Sequence, residues 1–348
     1  MTDPRPTVLL TGASGVLGRA LLDELADDFD VVALRHRTPV GDPRVREAQG
    51  DLSEPGLGID VATRREIGEV AAVLHCAAST NWRLRPEKIR RTNQLGTEHA
   101  IEFARSAGAP LYHMSTAFVA RPPADDVPLT GVTAYVRSKI DAEDQVRAAG
   151  HPAVILRPSV VLGNSRDGYI SALQGIHKVV VATLKNELPV LPADPGSTID
   201  CIPLDVVCRA TGRVLRAGIT AGEFWLTAGD AAPTLDSMVN DTILAVADEL
   251  GLETTAPRLI PVEAVDRLLV PLMEGVMPRA VRLQFTAFSE LMMMFQNEAA
   301  LPSSMAEIGL DLQMSRAATL EAFRRTVEFC AVHSGLAPSD AFRREAAA

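Results

Sequence analysis

Thr11-Gly-Ala-Ser-Gly-Val-Leu-Gly18 follows the apolar run Thr7–Leu10 and opens a helical stretch that reaches about Asp28. Gly12, Gly15 and Gly18 make a tight turn between a strand and a helix starting near Ser14, with Val16 and Leu17 in its first turn. The N–H groups of such a turn, with the positive end of the helix dipole behind them, face an anion. A dinucleotide pyrophosphate is the expected guest, and the strand, turn and helix predict the opening of a parallel α/β fold.

Working outward, the second informative run is Tyr135-Val-Arg-Ser-Lys139. A phenol and an ammonium four residues apart share one helical face, where the cation is expected to lower the phenol's pKa and ready it for proton transfer. That points to redox chemistry at a carbonyl. The glycine spacing and the YxxxK run, in this order, resemble the extended short-chain dehydrogenase/reductase superfamily over roughly residues 7 to 210.

The pattern between these runs supports that fold. Apolar strands Thr7–Leu10, Val31–Leu34, Val70–Cys76, Leu111–Met114 and Val154–Leu156 alternate with helical stretches to Asp28, near Ala62–Glu69, within Glu87–Ala107 and around Tyr135. Such βαβ alternation predicts a Rossmann-like, doubly wound parallel sheet covered on both faces, with ligands beyond the carboxyl ends of the strands. After Gly163 the pattern changes: a helix is expected over Ile170–Leu184, then a proline-rich stretch, a strand at Gly222–Thr227 and a mainly helical remainder. The expected division is a dinucleotide-binding core over 1–165 plus about 199–228, and a smaller, mainly helical substrate lobe over about 166–198 and 229–348.

Composition narrows the function classes. A formal charge of −10 over 348 residues argues against general nucleic-acid affinity, which needs a basic face. Cys76, Cys201, Cys208 and Cys330 show neither CxxC spacing nor a dense framework, so reduced thiols and a cytoplasmic location are expected. No apolar run approaches the roughly 20 residues of a membrane-spanning helix; peripheral membrane contact stays open. His75 and His113 lack metal-ligand spacing, and no metal is expected.

In the cofactor half, the strand Val31–Leu34 runs into Arg35-His36-Arg37, where an acidic residue would favour NAD and arginine accommodates the 2′-phosphate of NADP. NADP(H) is therefore expected, with Arg35 and Arg37 on the phosphate. Ala77 and Ala78, after His75-Cys76, are small enough for the cofactor to lie against the backbone. The superfamily resemblance implies that Asp51, followed by Leu52, accepts from the adenine amino group. It further implies that Asn93 supports the active-site backbone and that Pro158 and Val161, in Arg157-Pro-Ser-Val-Val-Leu-Gly163, line the carboxamide end. It also places the catalytic hydroxyl on Thr116 beside Ser115, with the reverse assignment open, Tyr135 as proton donor and Lys139 on the nicotinamide ribose. Asp200 and Asp205 read as structural.

Three runs, Gly50-Asp-Leu-Ser-Glu-Pro-Gly-Leu-Gly58, His75-Cys-Ala-Ala-Ser-Thr-Asn-Trp82 and His113-Met-Ser-Thr-Ala-Phe-Val119, resemble the thioester-reductase and fatty-acyl-CoA-reductase branch. The resemblance implies NADPH-dependent reduction of an acyl thioester, on coenzyme A or an acidic carrier protein met in trans, to an aldehyde and on to an alcohol in a second round. Arg83, Arg85, Lys88, Arg90 and Arg91 would meet those phosphates or acidic groups, and Leu283–Phe295 reads as core or acyl-pocket lining before membrane contact. The alternatives are reduction of a ketone, aldehyde or sterol-like alcohol, and a non-catalytic NADP sensor. A monomer or a homodimer, packed through the helices near Glu87–Ala107 and Thr133–Ala149, fits the superfamily.

Overall fold

Val8, Leu9 and Leu10 have no solvent exposure, as a strand covered on both faces requires. They belong to β1 (Thr7–Thr11), followed by β2 (Asp30–Arg35), β3 (Arg46–Gln49), β4 (Ala72–His75), β5 (Leu111–Met114) and β6 (Ala153–Pro158). With the edge strand Gly222–Leu226 they form one seven-stranded sheet in the order edge, β6, β5, β4, β1, β2, β3. Every pair in it is parallel. The computed structural model describes residues 5–82, 84–124, 127, 129–194, 196–261, 264, 265, 267, 279–338 and 340–342, apart from the side chains of 279–284 and 287.

The strand order reverses between β1 and β4, so the exits of these two strands flank the crevice where doubly wound sheets bind ligands. The helices of this half are α1 (Val16–Leu25), α2 (Val61–Ile67), α3 (Pro86–Ala107) and α4 (Gly131–Ala148). Asp60 caps α2 by accepting from the Thr63 N–H, and Thr130 with Thr133 forms a capping box that fixes the start of α4. Phe103 and Ala104 from α3 and Val146 from α4 pack with Leu9, Val73, Leu111 and Ile155 of the strands in one cluster. Each large apolar side chain buried there contributes roughly 1.5–3 kcal/mol, which locks the catalytic helix onto the sheet.

Packing divides the chain into two units. The first holds 1–159, 207–226 and 303–312; the second holds 160–206, 227–302 and 313–348. The boundaries expected at 165 and 199 from sequence fall instead at 159 and 207, because Val160–Leu162 pairs with Cys201–Pro203 in the second unit. That unit also pairs Val190–Pro192 with Arg258–Ile260 and Thr198–Ile199 with Gln296–Asn297. Its helices include Gly175–Leu184, Arg279–Phe295 and Arg316–His333. The first of these starts five residues later than expected, since Gly168 and Asn164 spend their N–H groups on a turn, bonding Asn164 O and Tyr169 O. In Arg279–Phe295, Leu291, Met292 and Phe295 are buried and Met293 is exposed, a core stripe with one wet side. Among the described residues no helix is long and apolar enough to cross a membrane, and all four cysteines are free. Pro128 and Pro195, read as loop prolines, lie outside the described residues.

Candidate active site

The turn after β1 closes before the helix begins. Gly15 N–H donates to Gly12 O at 2.9 Å, and α1 starts at Val16, two residues beyond the expected Ser14, with extended Gly15 as its N-cap. No side chain caps that end and no acidic residue occupies its first turn, which leaves bare N–H groups and uncompensated dipole beside exposed Ser14 and Gly15. Gly12 takes φ +76°, and a Cβ there would stand 2.7 Å from Ala77 N; one on Gly18 would stand 2.1 Å from Gly12 O. Backbone alone fits this crevice. These features suit a dinucleotide pyrophosphate lying against the turn, with half-buried Val16, Leu17, Ala77 and Ala78 as its walls.

Beneath the turn runs a chain of hydrogen bonds that sequence reading did not foresee. Ala77 N–H donates to Thr11 Oγ1 at 3.2 Å, so the Thr11 hydroxyl proton goes to His75 Nδ1 at 2.8 Å. His75 Nε2 then donates to Thr97 Oγ1 at 3.3 Å, and Thr97 donates to Asn93 O at 2.7 Å. Both ring nitrogens are thereby used by a neutral imidazole, which stacks on His113 with centroids 5.5 Å apart. Burial, with the Lys139 charge adding to it, pushes His75 down to about 3. Because the unfolded chain takes this proton first, near pH 6.5, stability falls as pH drops from there toward 3. Denaturant midpoints across that window should show the slope, with a smaller slope in His75→Asn; an unchanged slope would remove His75 from the account.

The expected adenosine-side residues cluster after β2 and β3. Arg35 pairs with Glu47 at 3.1 Å, while the Ser53 N–H and hydroxyl hold the Asp51 carboxyl below its usual range, with His36, 3.2 Å from Asp51 Oδ2, and exposed Arg37 adding to this. Asp51 Oδ1 accepts from both the N–H and hydroxyl of Ser53, and Leu52 O is bonded to His99 Nδ1. Asn93, 2% exposed, accepts from Ser79 N–H and donates to Ser138 Oγ, joining the β4 exit to α4. Pro158 is buried at the end of β6 opposite Leu226. Val161, half-buried in the second unit, pairs with Ile202. Asp200 accepts from Ala228 and Gly229 N–H, and Asp205 from Ser165, both structural bonds.

At the β5 exit, three consecutive residues meet three turns of α4. Thr116 lies beside the Tyr135 phenol, which its hydroxyl lowers, Met114 O accepts from Lys139 Nζ at 2.7 Å, and Ser115 Oγ donates to Glu143 Oε1 at 2.5 Å. Ser115 is thus committed to Glu143, and Thr116 is the hydroxyl at the phenol. Tyr135, Lys139 and Thr116 are all nearly inaccessible to solvent. Burial pushes Tyr135 up to about 12 and Lys139 down to about 8. The expectation that Lys139 depresses the phenol is therefore corrected: the Thr116 hydroxyl is what lowers it, and the ammonium places one of its three donors on a carbonyl. The Trp82 ring lies 6.1 Å from the Tyr135 ring. Arg85, Lys88, Arg90 and Arg91 are exposed around the start of α3, Arg90 standing 3.6 Å from Asp141; Arg83 lies outside the described residues.

The profile of the male sterility protein family matches residues 33–211. Trichosetin synthetase PKS-NRPS1 of Gibberella fujikuroi is 31% identical over 238 residues, 62% of this chain and 6% of that protein. The ceramide reductase of Caulobacter vibrioides is 36% identical over 163 residues, 47% of this chain and 48% of that one. The chain thus spans about half or less of the length of these curated relatives. Among solved structures, the terminal R domain of the myxalamid PKS-NRPS pathway shares the fold with a TM-score of 0.68 and 23% identity over 97% of this chain and 93% of that one. The chain belongs to the male sterility protein family, an NAD-binding family, within the thioester-reductase branch of the extended short-chain dehydrogenase/reductase superfamily.

Proposed function

We propose that the chain is an NADPH-dependent reductase that converts an acyl thioester, presented on coenzyme A or an acidic carrier protein, to the aldehyde and, with a second hydride, to the alcohol. The observation that carries this reading is the trio at the β5 exit, Thr116 beside the Tyr135 phenol with Lys139 one turn on along α4, in a chain that matches the male sterility protein family. The bound dinucleotide supplies the hydride. Thr116 and Tyr135 hold the carbonyl oxygen as negative charge develops on it, and pre-placed donors are effective there. Tyr135 then gives up its proton to that oxygen. A phenol pushed up to about 12 keeps that proton at neutral pH until the oxyanion forms. The product of this step is a hemithioacetal. Its carbon–sulfur bond breaks as the hydroxyl proton passes to sulfur, leaving an aldehyde and a free thiol.

Lys139, anchored by one N–H on Met114 O, keeps two further donors with which it would orient the ribose. The Trp82 ring, tilted 59° at 6.1 Å from the phenol ring, would pack beside the acyl group. The cations at the start of α3 support a phosphate-bearing or acidic carrier, since positive charge at a helix's amino end costs the helix stability. For the cofactor, Arg37 is the more available of the two arginines, because Arg35 is already paired with Glu47. Arg37→Ser should raise KM for NADPH roughly tenfold to a hundredfold with little change for NADH. Steady-state kinetics with both cofactors on acyl-CoA, acyl-carrier and simple ketone substrates test the reading. Turnover confined to ketones, or an equal response of the two cofactors to Arg37→Ser, would overturn it.

A further inference from the structure

The stripe Tyr135, Lys139, Glu143 runs down one face of α4 at successive four-residue steps, and its last member has no assigned role. Glu143 is a carboxylate at 2% exposure. Its Oε1 accepts from Ser115 Oγ and from Arg157 Nε, the latter at 2.9 Å, while Oε2 accepts from Arg157 and Arg147 at 2.7 Å each. Glu223, from the edge strand, pairs with both arginines, and the Arg157 guanidinium lies 4.6 Å from the Trp225 ring. The carboxylate is held in one orientation from β5, β6, the edge strand and its own helix. An ion group buried this deeply is a weak source of stability, because desolvation offsets much of the attraction. Its placement calls for another explanation.

We propose that Glu143 is a positioning residue: one turn beyond Lys139 it keeps that lysine cationic, and by holding Ser115 it fixes the β5 exit from which Thr116 projects beside Tyr135. This rests on the reductase reading given above. The other groups around Lys139 cannot supply the charge. Cys76 at the β4 exit is pushed up to about 12 and is an uncharged thiol at neutral pH. His75 and His113, from β4 and β5, are pushed down by burial and are neutral too. Tyr135 holds its proton. Burial lowers Lys139, and Cys76 and then Glu143 oppose it; with the Cys76 thiol uncharged at neutral pH, Glu143, one turn along α4, is the group of these two that brings a formal negative charge. The two effects reach the same site from opposite ends: the ammonium bonds Met114 O, and the carboxylate bonds the very next residue.

The chain has four lysines, and Lys88, Lys178 and Lys185 are exposed. Changing those three to arginine leaves Lys139 as the single lysine signal for 13Cε NMR titration, which needs no turnover. Glu143→Gln keeps an acceptor for Ser115 but removes the charge, and should lower the Lys139 midpoint by about one unit. Glu143→Asp should restore most of that shift. In the reduction assay the alkaline limb of kcat should move down with it, because the cationic lysine is lost at lower pH. Ser115→Ala should lower kcat and leave the titration in place. A Lys139 midpoint that is the same in Glu143→Gln as in the parent overturns the proposal, as does a parent Lys139 already neutral below pH 7, which needs no variant. If the midpoint shifts as expected but no thioester is reduced, the reductase reading fails and the control of Lys139 by Glu143 stands.

Discussion

Replacing Tyr135 with phenylalanine lowers kcat for thioester reduction by roughly 10²- to 10⁴-fold, the usual contribution of a positioned proton donor, while dinucleotide affinity stays near that of the parent. Phenylalanine fills the same space, so the contact with the Trp82 ring, 6.1 Å away, survives. What disappears is the proton that burial holds on the phenol. Thr116 Oγ1 keeps the Phe118 N–H as its partner, so the variant remains folded. Single-turnover hydride transfer, measured with cofactor bound beforehand, checks this. A variant that transfers hydride at the parent rate would move proton donation away from Tyr135.

The second large effect lies in the glycine turn. Gly18→Val should weaken dinucleotide binding by roughly tenfold to a hundredfold and destabilise the fold by about 1–3 kcal/mol. A Cβ at this position meets Gly12 O at 2.1 Å and Ala13 Cα at 2.7 Å, and both are backbone atoms of the turn itself. Nothing flexible can yield, so the loop must open and its N–H groups leave the pyrophosphate. Calorimetric titration with the cofactor, beside a thermal melt, separates the two consequences. Unchanged affinity in a folded Gly18→Val protein would show that the cofactor does not lie on this turn.

Much of this arrangement was legible in the chain because it rests on local chemistry. The apolar strands and the helices between them fix a parallel sheet, and the glycine turn falls where the strand order reverses. Asn93 was legible from its short motif, and it bonds Ser79 and Ser138. Other parts depend on residues that only the topology brings together. No motif marks Glu143 or Glu223, and Arg157 enters the sequence reading only as the start of the Arg157–Gly163 run, yet the three converge where β6 pairs with the edge strand. His75 read as a strand end to be weighed as a metal ligand, whereas its two nitrogens are taken by Thr11 and Thr97.

The choice between Ser115 and Thr116 was open in the sequence because adjacent hydroxyls have no distinguishing pattern. Their neighbours on α4 separate them: Ser115 bonds Glu143, and the Thr116 hydroxyl lowers the Tyr135 phenol. Lys139 was expected to act on the phenol, since a four-residue step places both groups on one face. The carbonyl of Met114 lies within its reach and takes the ammonium. In the second unit, strands of two or three residues are too short for an alternating pattern to register, so the ribbon pairing Val160–Leu162 with Cys201–Pro203 left no trace in the sequence.

The most direct test of thioester reduction is to follow NADPH absorbance and free thiol together as the purified protein meets a panel of acyl-CoA and acyl-carrier thioesters. One thiol released for each thioester consumed, with one NADPH oxidised when the aldehyde accumulates and two when the alcohol forms, is the predicted result. Oxidation of NADPH without any thiol release, or thiol release independent of NADPH, would contradict it.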